Sequence, residues 1–400
     1  MKIAEKFIKY VKFDTMSDEN SSSYPSTPSQ IEFGKMLLED LKRIGISDAY
    51  QDEYGNVYAR LDGDPTLPKN GLIAHMDTSP ALIGGNFDPR TIKNYDGEDI
   101  KLCEEYTLSK NNFPSLKNHI GHDLIVTDGY HLLGGDDKAG IAIIMEILEF
   151  YQNNKEINHA PIRVCFTPDE EIGMGSLHFD VNKMDADFAY TLDGGSYDDV
   201  NYENFNAASA VVEIYGVGIH PGSAKGLMVN ALMLANEFNS LLPQNEVPEK
   251  TEGYEGFYHL TDINGDVEYT KMAYILRDHD SQKLEDKINK MCEITNLLNK
   301  KYPTAKINTT IKHNYKNMRT YFDKDKTAIE AIVKAYKAAG YEAKFSPIRG
   351  GTDGASFTFL GLPCPNIGVG DYNCHGRYEY VSINEMEMVF NVVRALLENK

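Results

Sequence analysis

Acids and histidines at the ends of short apolar runs are the residues of this chain best suited to chemistry. His75 and Asp77 lie in GLIAHMDT, Asp136 and Asp137 in GGDDKAG, Glu170 and Glu171 in FTPDEE, Asp193 in YTLDGG and His375 in YNCHG. The strand ends of an open α/β sheet are where such folds collect their ligands. Zinc takes nitrogen and oxygen donors, and a paired site also needs a carboxylate able to bridge both ions. The inventory supplies each part and reads as a two-metal hydrolase site.

Each cluster taken alone has a plainer role. His75 with Asp77 two residues later puts both side chains on one side of an extended segment, so the aspartate can accept the second imidazole N–H; such a pair by itself is usually a surface hydrogen bond. Gly134 and Gly135 permit a tight turn before an apolar helix, where Asp136 or Asp137 would serve as a cap. A phosphate loop is excluded there, because Lys138 is not preceded by Gly and is followed by Ala139. Glu170 and Glu171 follow a strand, and adjacent residues of an extended segment point opposite ways, so one can ligate while the other holds water. Asp193 alone is a turn acid before Gly194-Gly195, and His375 alone a loop histidine. Taken together, they complete the donor set of a shared-carboxylate metal pair. The chain has no HExxH helix, which removes the single-zinc protease pattern, and GVGIHPG has the wrong spacing for a nicotinamide cofactor loop.

The elements that must position these residues follow an α/β order. Apolar runs at 71–74, 162–166 and 187–192 alternate with a helix at 139–151, predicting buried, mostly parallel strands. The pattern resumes after residue 320 with a helix at 324–339, a strand at 342–345, a turn at RGGTDG, a strand at 366–369 and a helix at 383–398. Between these halves run a strand at 209–216, a helix at 228–242, strands at 254–263 and 267–276 turning at Asn264-Gly265, a helix at 281–301 and a strand at 305–313. Asn-Gly between alternating runs is a hairpin signal, and βαββαβ is the ferredoxin-like unit. The expected architecture is therefore a discontinuous α/β catalytic domain, 1–205 and 319–400, with a mixed, mostly parallel sheet, interrupted by an α+β lid domain over 206–318. The Ser/Pro-rich stretch 17–29 reads as a solvated loop.

The chain has 400 residues and a formal charge of −20, which disfavours nucleic acid and anionic membranes as partners. Five scattered cysteines without a CxxC pair fit a reducing compartment, read as the cytoplasm. The first residues form an amphipathic helix rather than a signal peptide, and no run of about 18 apolar residues occurs to span a bilayer.

The segments HMDTSP, LLGGDDKAG, FTPDEE, DGG at 193–195, YENFNAAS, HPGSAKG, MVNAL, TEGYEGFYHL, RGGTDGA, GLPCPN and HGRYE occur in that order. Through them the chain resembles, essentially end to end, the peptidase T family, the tripeptide aminopeptidases of the di-zinc aminoacylase and carboxypeptidase clan of metallopeptidases. The resemblance implies two Zn2+ per subunit, one held by His75 and Asp193 and the other by Glu171 and His375, with Asp136 bridging. It implies that Asp77 orients His75, that Glu170 is the general base, and that the Asp136–Asp137 peptide is cis. From the lid it implies His220 as a donor to the tetrahedral oxyanion, with Arg277 and Arg349 as anchors for a substrate carboxylate. Cys374 departs from some family members and sets a thiol beside the last ligand. Short peptides are the implied partners, and a homodimer is left open. Dipeptidase, carboxypeptidase and N-acyl amino acid deacylase activities share the same metal chemistry and stay as alternatives, as does a catalytically silent metal- or peptide-binding module.

Overall fold

A computed structural model describes residues 2–399. The chain divides into two compact units, Met1–Tyr202 with Thr320–Ser346 and Thr352–Lys400, and Glu203–Arg319 with Pro347–Gly351.

The first unit is built on an eight-stranded mixed sheet. Its order is Asp48–Gln51, Val57–Leu61, Ile162–Thr167, Asn70–His75, Phe188–Leu192, Asn366–Ile367, Asp199–Asn201 and Lys344–Phe345. The four strands from Ile162–Thr167 to Asn366–Ile367 run parallel; Val57–Leu61 and Asp199–Asn201 join them antiparallel on either side, and the outermost Lys344–Phe345 pairs parallel to Asp199–Asn201. Every residue of Asn70–His75, Ile162–Thr167 and Phe188–Leu192 is buried. A central parallel strand is covered on both faces, which is why these runs are continuously apolar instead of alternating. The helix Gly135–Asn153 packs on Asn70–His75 and is buried nearly all round from Ala139 to Leu148; a helix apolar on every side belongs inside. The closing helix Ile383–Leu397 packs on it and on Thr327–Ala338. A smaller antiparallel sheet, ordered Asp371–Tyr372, Tyr380–Ser382, Leu124–Val126, Arg90–Ile92, carries the last stretch of chain before that helix.

The second unit is a four-stranded antiparallel sheet in the order Phe257–Gly265, Tyr269–Asp278, Asn206–Tyr215, Lys306–Tyr315. In chain order its strands run 2-3-1-4, the ferredoxin-like arrangement, with the helices Ala231–Ser240 and Ser281–Lys301 between them. Its own core includes Val212, Ile214, Phe238, Met272, Leu276, Met291 and Leu298.

Several expected elements are displaced. Asn264 and Gly265 are not the hairpin turn: they pair with Lys271 and Thr270, and the reversal lies at 266–268. Asp266 takes over the turn chemistry, its carboxylate accepting the N–H groups of Glu268 at 2.8 Å and Tyr269 at 3.0 Å. The RGGTDG segment is more than a turn, because Thr352 Oγ1 accepts the Gly354 N–H at 3.3 Å and caps a helix, Asp353–Phe359. The helix expected from 324 begins at Thr327, after a turn in which Asp325 accepts the Thr327 N–H. The Ser/Pro-rich stretch is fastened at its far end. Ser26 is buried, and its N–H and hydroxyl both donate to the Asp169 carboxylate, beside the Gln30 amide at 2.7 Å. Pro28 then opens the helix Pro28–Arg43.

Candidate metal centre

His75 is the last residue of the strand Asn70–His75, and Asp193 follows directly on the neighbouring strand Phe188–Leu192. Parallel strands end on one side of a sheet, so the two side chains emerge together, His75 Nε2 lying 3.9 Å from Asp193 Oδ1. Asp136 arrives from the turn ahead of the buried helix, where Gly134 adopts φ +75° and the Asp136–Asp137 peptide is cis. Its two oxygens are divided: Oδ1 is 2.7 Å from His75 Nε2 and Oδ2 is 3.1 Å from His375 Nε2. Asp137 faces inward, accepting the His75 N–H at 3.1 Å and the Gly140 N–H at 3.1 Å. Asp137 thus takes the capping role, while Asp136 faces the two histidines.

Glu170 and Glu171 do not lie in an extended segment. Asp169 turns the chain at φ +59° after the strand Ile162–Thr167, and Glu170–Ile172 form a 3-10 turn. Asp77 holds that turn in place. Its Oδ1 accepts the Glu170 N–H at 3.0 Å, and its Oδ2 accepts the Glu171 N–H at 3.1 Å. The same carboxylate lies 3.3 Å from His75 Nδ1, so fully buried Asp77 steadies both a histidine and the glutamate pair. Glu171 Oε2 is 2.9 Å from His375 Nε2. His375 is the most exposed of the group, on a turn after Asp371–Tyr372 with φ +62°.

The donors shift one another's proton affinities strongly. Burial opposes charge on His75, yet its hydrogen bonds to Asp136 and Asp77 hold its pKa well above the ordinary histidine range. His375 is pushed up to about 11 by its hydrogen bonds to Asp136 and Glu171. Asp136, although buried, is held far below the usual carboxylate range by the two imidazoles. Glu171 is raised by burial and by Asp136, and Asp193 is raised well above its ordinary value for the same two reasons. Glu170 is raised well above its ordinary value by burial, with Asp353, Asp193 and Glu171 adding to the effect and His75 opposing it.

These donors fit a pair of divalent ions. The nearest ligand atoms of His75, Asp136 and Glu171 lie within 4.8 Å of one another; those of His75, Asp137 and Asp193 are as close, but both Asp137 oxygens already accept main-chain N–H groups. Glu171 Oε1 is buried and has no hydrogen-bond partner among the described residues, as a carboxylate oxygen reserved for a cation would be. A third group, His119, His122 and Glu385, is saturated differently. His119 engages Glu385 at 2.9 Å and Tyr380 at 3.2 Å, and the second Glu385 oxygen accepts the Tyr372 hydroxyl at 2.7 Å.

The three remaining expected residues belong to the second unit. His220 is exposed, and its Nδ1 accepts the Gly222 N–H at 3.2 Å. Arg277 donates to the carbonyls of Ala208 and Leu276 and lies over the Tyr315 ring. Arg349 donates to the carbonyls of Gly253, Glu255 and Thr251 and stacks over Phe205 and Phe257, which clamps the TEGYEG loop. Cys374 Sγ donates to Asp371 Oδ2 at 2.9 Å. Sequence reasoning missed three buried acids around the centre: Asp353, Asp371 and Glu379. Burial pushes Asp353 up to about 7. Each resembles a surface acid until the fold encloses it.

Residues 125–399 match the model of peptidase family M20/M25/M40. Peptidase T of Clostridium perfringens is 50% identical over 399 residues, covering 99% of this chain and 98% of that protein. Peptidase T of Caldanaerobacter subterraneus is 48% identical over 401 residues, with the same coverage. The fold is that of aminopeptidase PepT from Bacillus cereus, at a TM-score of 0.78 and 21% identity over 99% of this chain and 97% of that one. A tripeptidase from Staphylococcus aureus has a TM-score of 0.77 at 20% identity, covering 100% of this chain and 97% of that one. The chain belongs to peptidase family M20/M25/M40 and, within it, to Peptidase T.

Proposed function

We propose that this chain is a two-zinc aminopeptidase that removes the N-terminal residue of tripeptides. The observation that carries the reading is the division of Asp136, one oxygen toward His75 and the other toward His375, with Asp193 and Glu171 beside them. His75 and Asp193 would hold one ion, Glu171 and His375 the other, and Asp136 both. Such ions, when bound, polarise a carbonyl and acidify water.

The rest of the reaction falls to the chain's own groups. Glu170 Oε takes the proton of the attacking water and returns it to the leaving amine, and burial, which raises its pKa, strengthens it as a base. Asp77 keeps Glu170 in register through the main chain and fixes which nitrogen of His75 faces the ion. His220 is proposed as the oxyanion donor, and Arg277 and Arg349 as candidates for the substrate carboxylate. The five cysteines are all unpaired, which supports a reducing cytoplasm as the working compartment.

The test compares free with N-acetylated tripeptides, before and after chelation, alongside metal stoichiometry. Cleavage of the free tripeptide at its first bond, lost on chelation and restored by Zn2+, is the expected result. Preference for the blocked peptide would instead place the chain with the deacylases.

A further inference from the structure

Behind the metal-facing side chains lies a carboxylate that the chemistry above does not use. Glu379 is fully buried, four residues beyond His375 and just ahead of the strand Tyr380–Ser382. Its Oε2 accepts the Gly134 N–H at 2.9 Å, and its Oε1 accepts the N–H groups of Gly135 at 2.7 Å and Asp136 at 3.3 Å. Three successive main-chain donors turned toward one anion form a nest. The left-handed Gly134 and the break in helical geometry at Asp136 aim them inward. Charge-assisted hydrogen bonds of this kind are roughly twice as strong as neutral ones, and a carboxylate can satisfy all three donors where a carboxamide cannot.

The loop is also held from its other side. A Cβ on Gly135 would fall 2.5 Å from Asp371 Oδ1 and 2.7 Å from Val381 Cγ2, so these two residues close on the loop and leave room there only for glycine. The grip acts on the residue whose orientation matters most, since Asp136 must present its two oxygens to two different histidines. It also originates in the segment that carries His375, the most exposed of the expected ligands.

We infer that Glu379 is a positioning residue for the metal pair: by binding the backbone of 134–136 it sets the aim of Asp136 and ties the His375 turn to the Asp136 loop. The inference rests on the two-zinc reading above. It separates Glu379 from a plain structural cap, because a cap would support the fold without setting metal affinity. Outer partners of this kind typically change metal affinity by about 10–100-fold.

The experiment is a Zn2+ titration of the full chain, stripped by chelation, against a chromophoric chelator, for wild type, Glu379→Gln and Ile332→Val. The last trims a buried residue in the helix Thr327–Ala338 and controls for lost stability. The expected result is two tight Zn2+ equivalents for wild type and for Ile332→Val. Glu379→Gln, still melting cooperatively, should lose about tenfold or more in the affinity of at least one. Two equivalents of wild-type affinity in Glu379→Gln would overturn the inference while leaving the two-zinc reading intact. Fewer than two equivalents in wild type would sink that reading and the inference with it. If Glu379→Gln does not fold, Glu379→Asp, which keeps the charge but withdraws both oxygens by one methylene, is judged by the same affinities.

Discussion

His375 Nε2 stands 3.1 Å from Asp136 Oδ2, although 239 positions separate the two residues in the chain. The contact joins the last expected ligand to the proposed shared one, and the Asp136 carboxylate helps to raise the pKa of His375. If His75 and His375 ligate Zn2+ as proposed, its binding displaces their protons, since the pKa of His375 is pushed up to about 11 and that of His75 is also raised. Apparent Zn2+ affinity should rise with pH through the neutral range, by about tenfold per unit for each proton displaced. Calorimetric titration in buffers of different ionisation enthalpy measures that release, and a pH-independent affinity would contradict the assignment.

The hydrogen bonds of Glu170 are made by its main chain, to Asp77 and Gly173, and survive truncation of the side chain. Glu170→Ala should keep both metal ions and the fold, leave KM near the wild-type value, and lower kcat by about 10²–10⁴-fold. Steady-state kinetics on a free tripeptide, paired with metal analysis, checks it. Turnover near the wild-type rate would remove Glu170 from the role of base.

Asp77 is the hinge between two halves of the site, and its loss should show in both. Asp77→Asn keeps the shape but can offer only one oxygen to the N–H groups of Glu170 and Glu171. The expected outcome is metal affinity weakened by about 10–100-fold, together with a lowered kcat at saturating Zn2+. A change in affinity alone, with full turnover restored by excess Zn2+, would limit Asp77 to orienting His75.

Lys138 is buried just inside the helix after Asp137, donating to the Phe13 carbonyl at 2.8 Å and lying over the Phe33 ring. Burial pushes its pKa down to about 8, partly offset by Asp14, Glu379 and Asp77. Below about pH 8 folded and unfolded chains both carry the proton, and the cost of burying the charge is present in full. Between there and roughly 10.4, the unfolded lysine value, the unfolded chain binds the extra proton, so stability rises with pH. Urea midpoints of metal-stripped wild type should gain on those of Lys138→Met across that window. Parallel curves would mean that the lysine is not the titrating group.

How far the sequence could be read depended on whether a signal was local. The helix at 281–301 is found at the expected residues, because its apolar stripe and its Asp280 cap lie within one stretch of chain. The buried parallel strands were legible from their unbroken apolar runs. The hairpin turn was misplaced because Asn-Gly is a strong turn pair, whereas here Asp266 does the work two residues later. The helix Pro28–Arg43 went unread because the Ser/Pro-rich stretch before it drew the reading toward a loop. Glu379 and Asp371 were invisible for a different reason. Nothing in HGRYE or GDYN indicates burial, which arises only when the small antiparallel sheet folds against the loop at 134–136.

The first unit is interrupted in sequence, and this governs when activity can begin during synthesis. Because the whole second unit precedes His375 in the sequence, a ribosome has made that unit before the last proposed ligand exists. Products of premature termination would carry His75, Asp136, Glu171 and Asp193 and yet lack a complete cage. On the two-metal reading, a copy that stops short of His375 is expected to be inert toward the peptides around it.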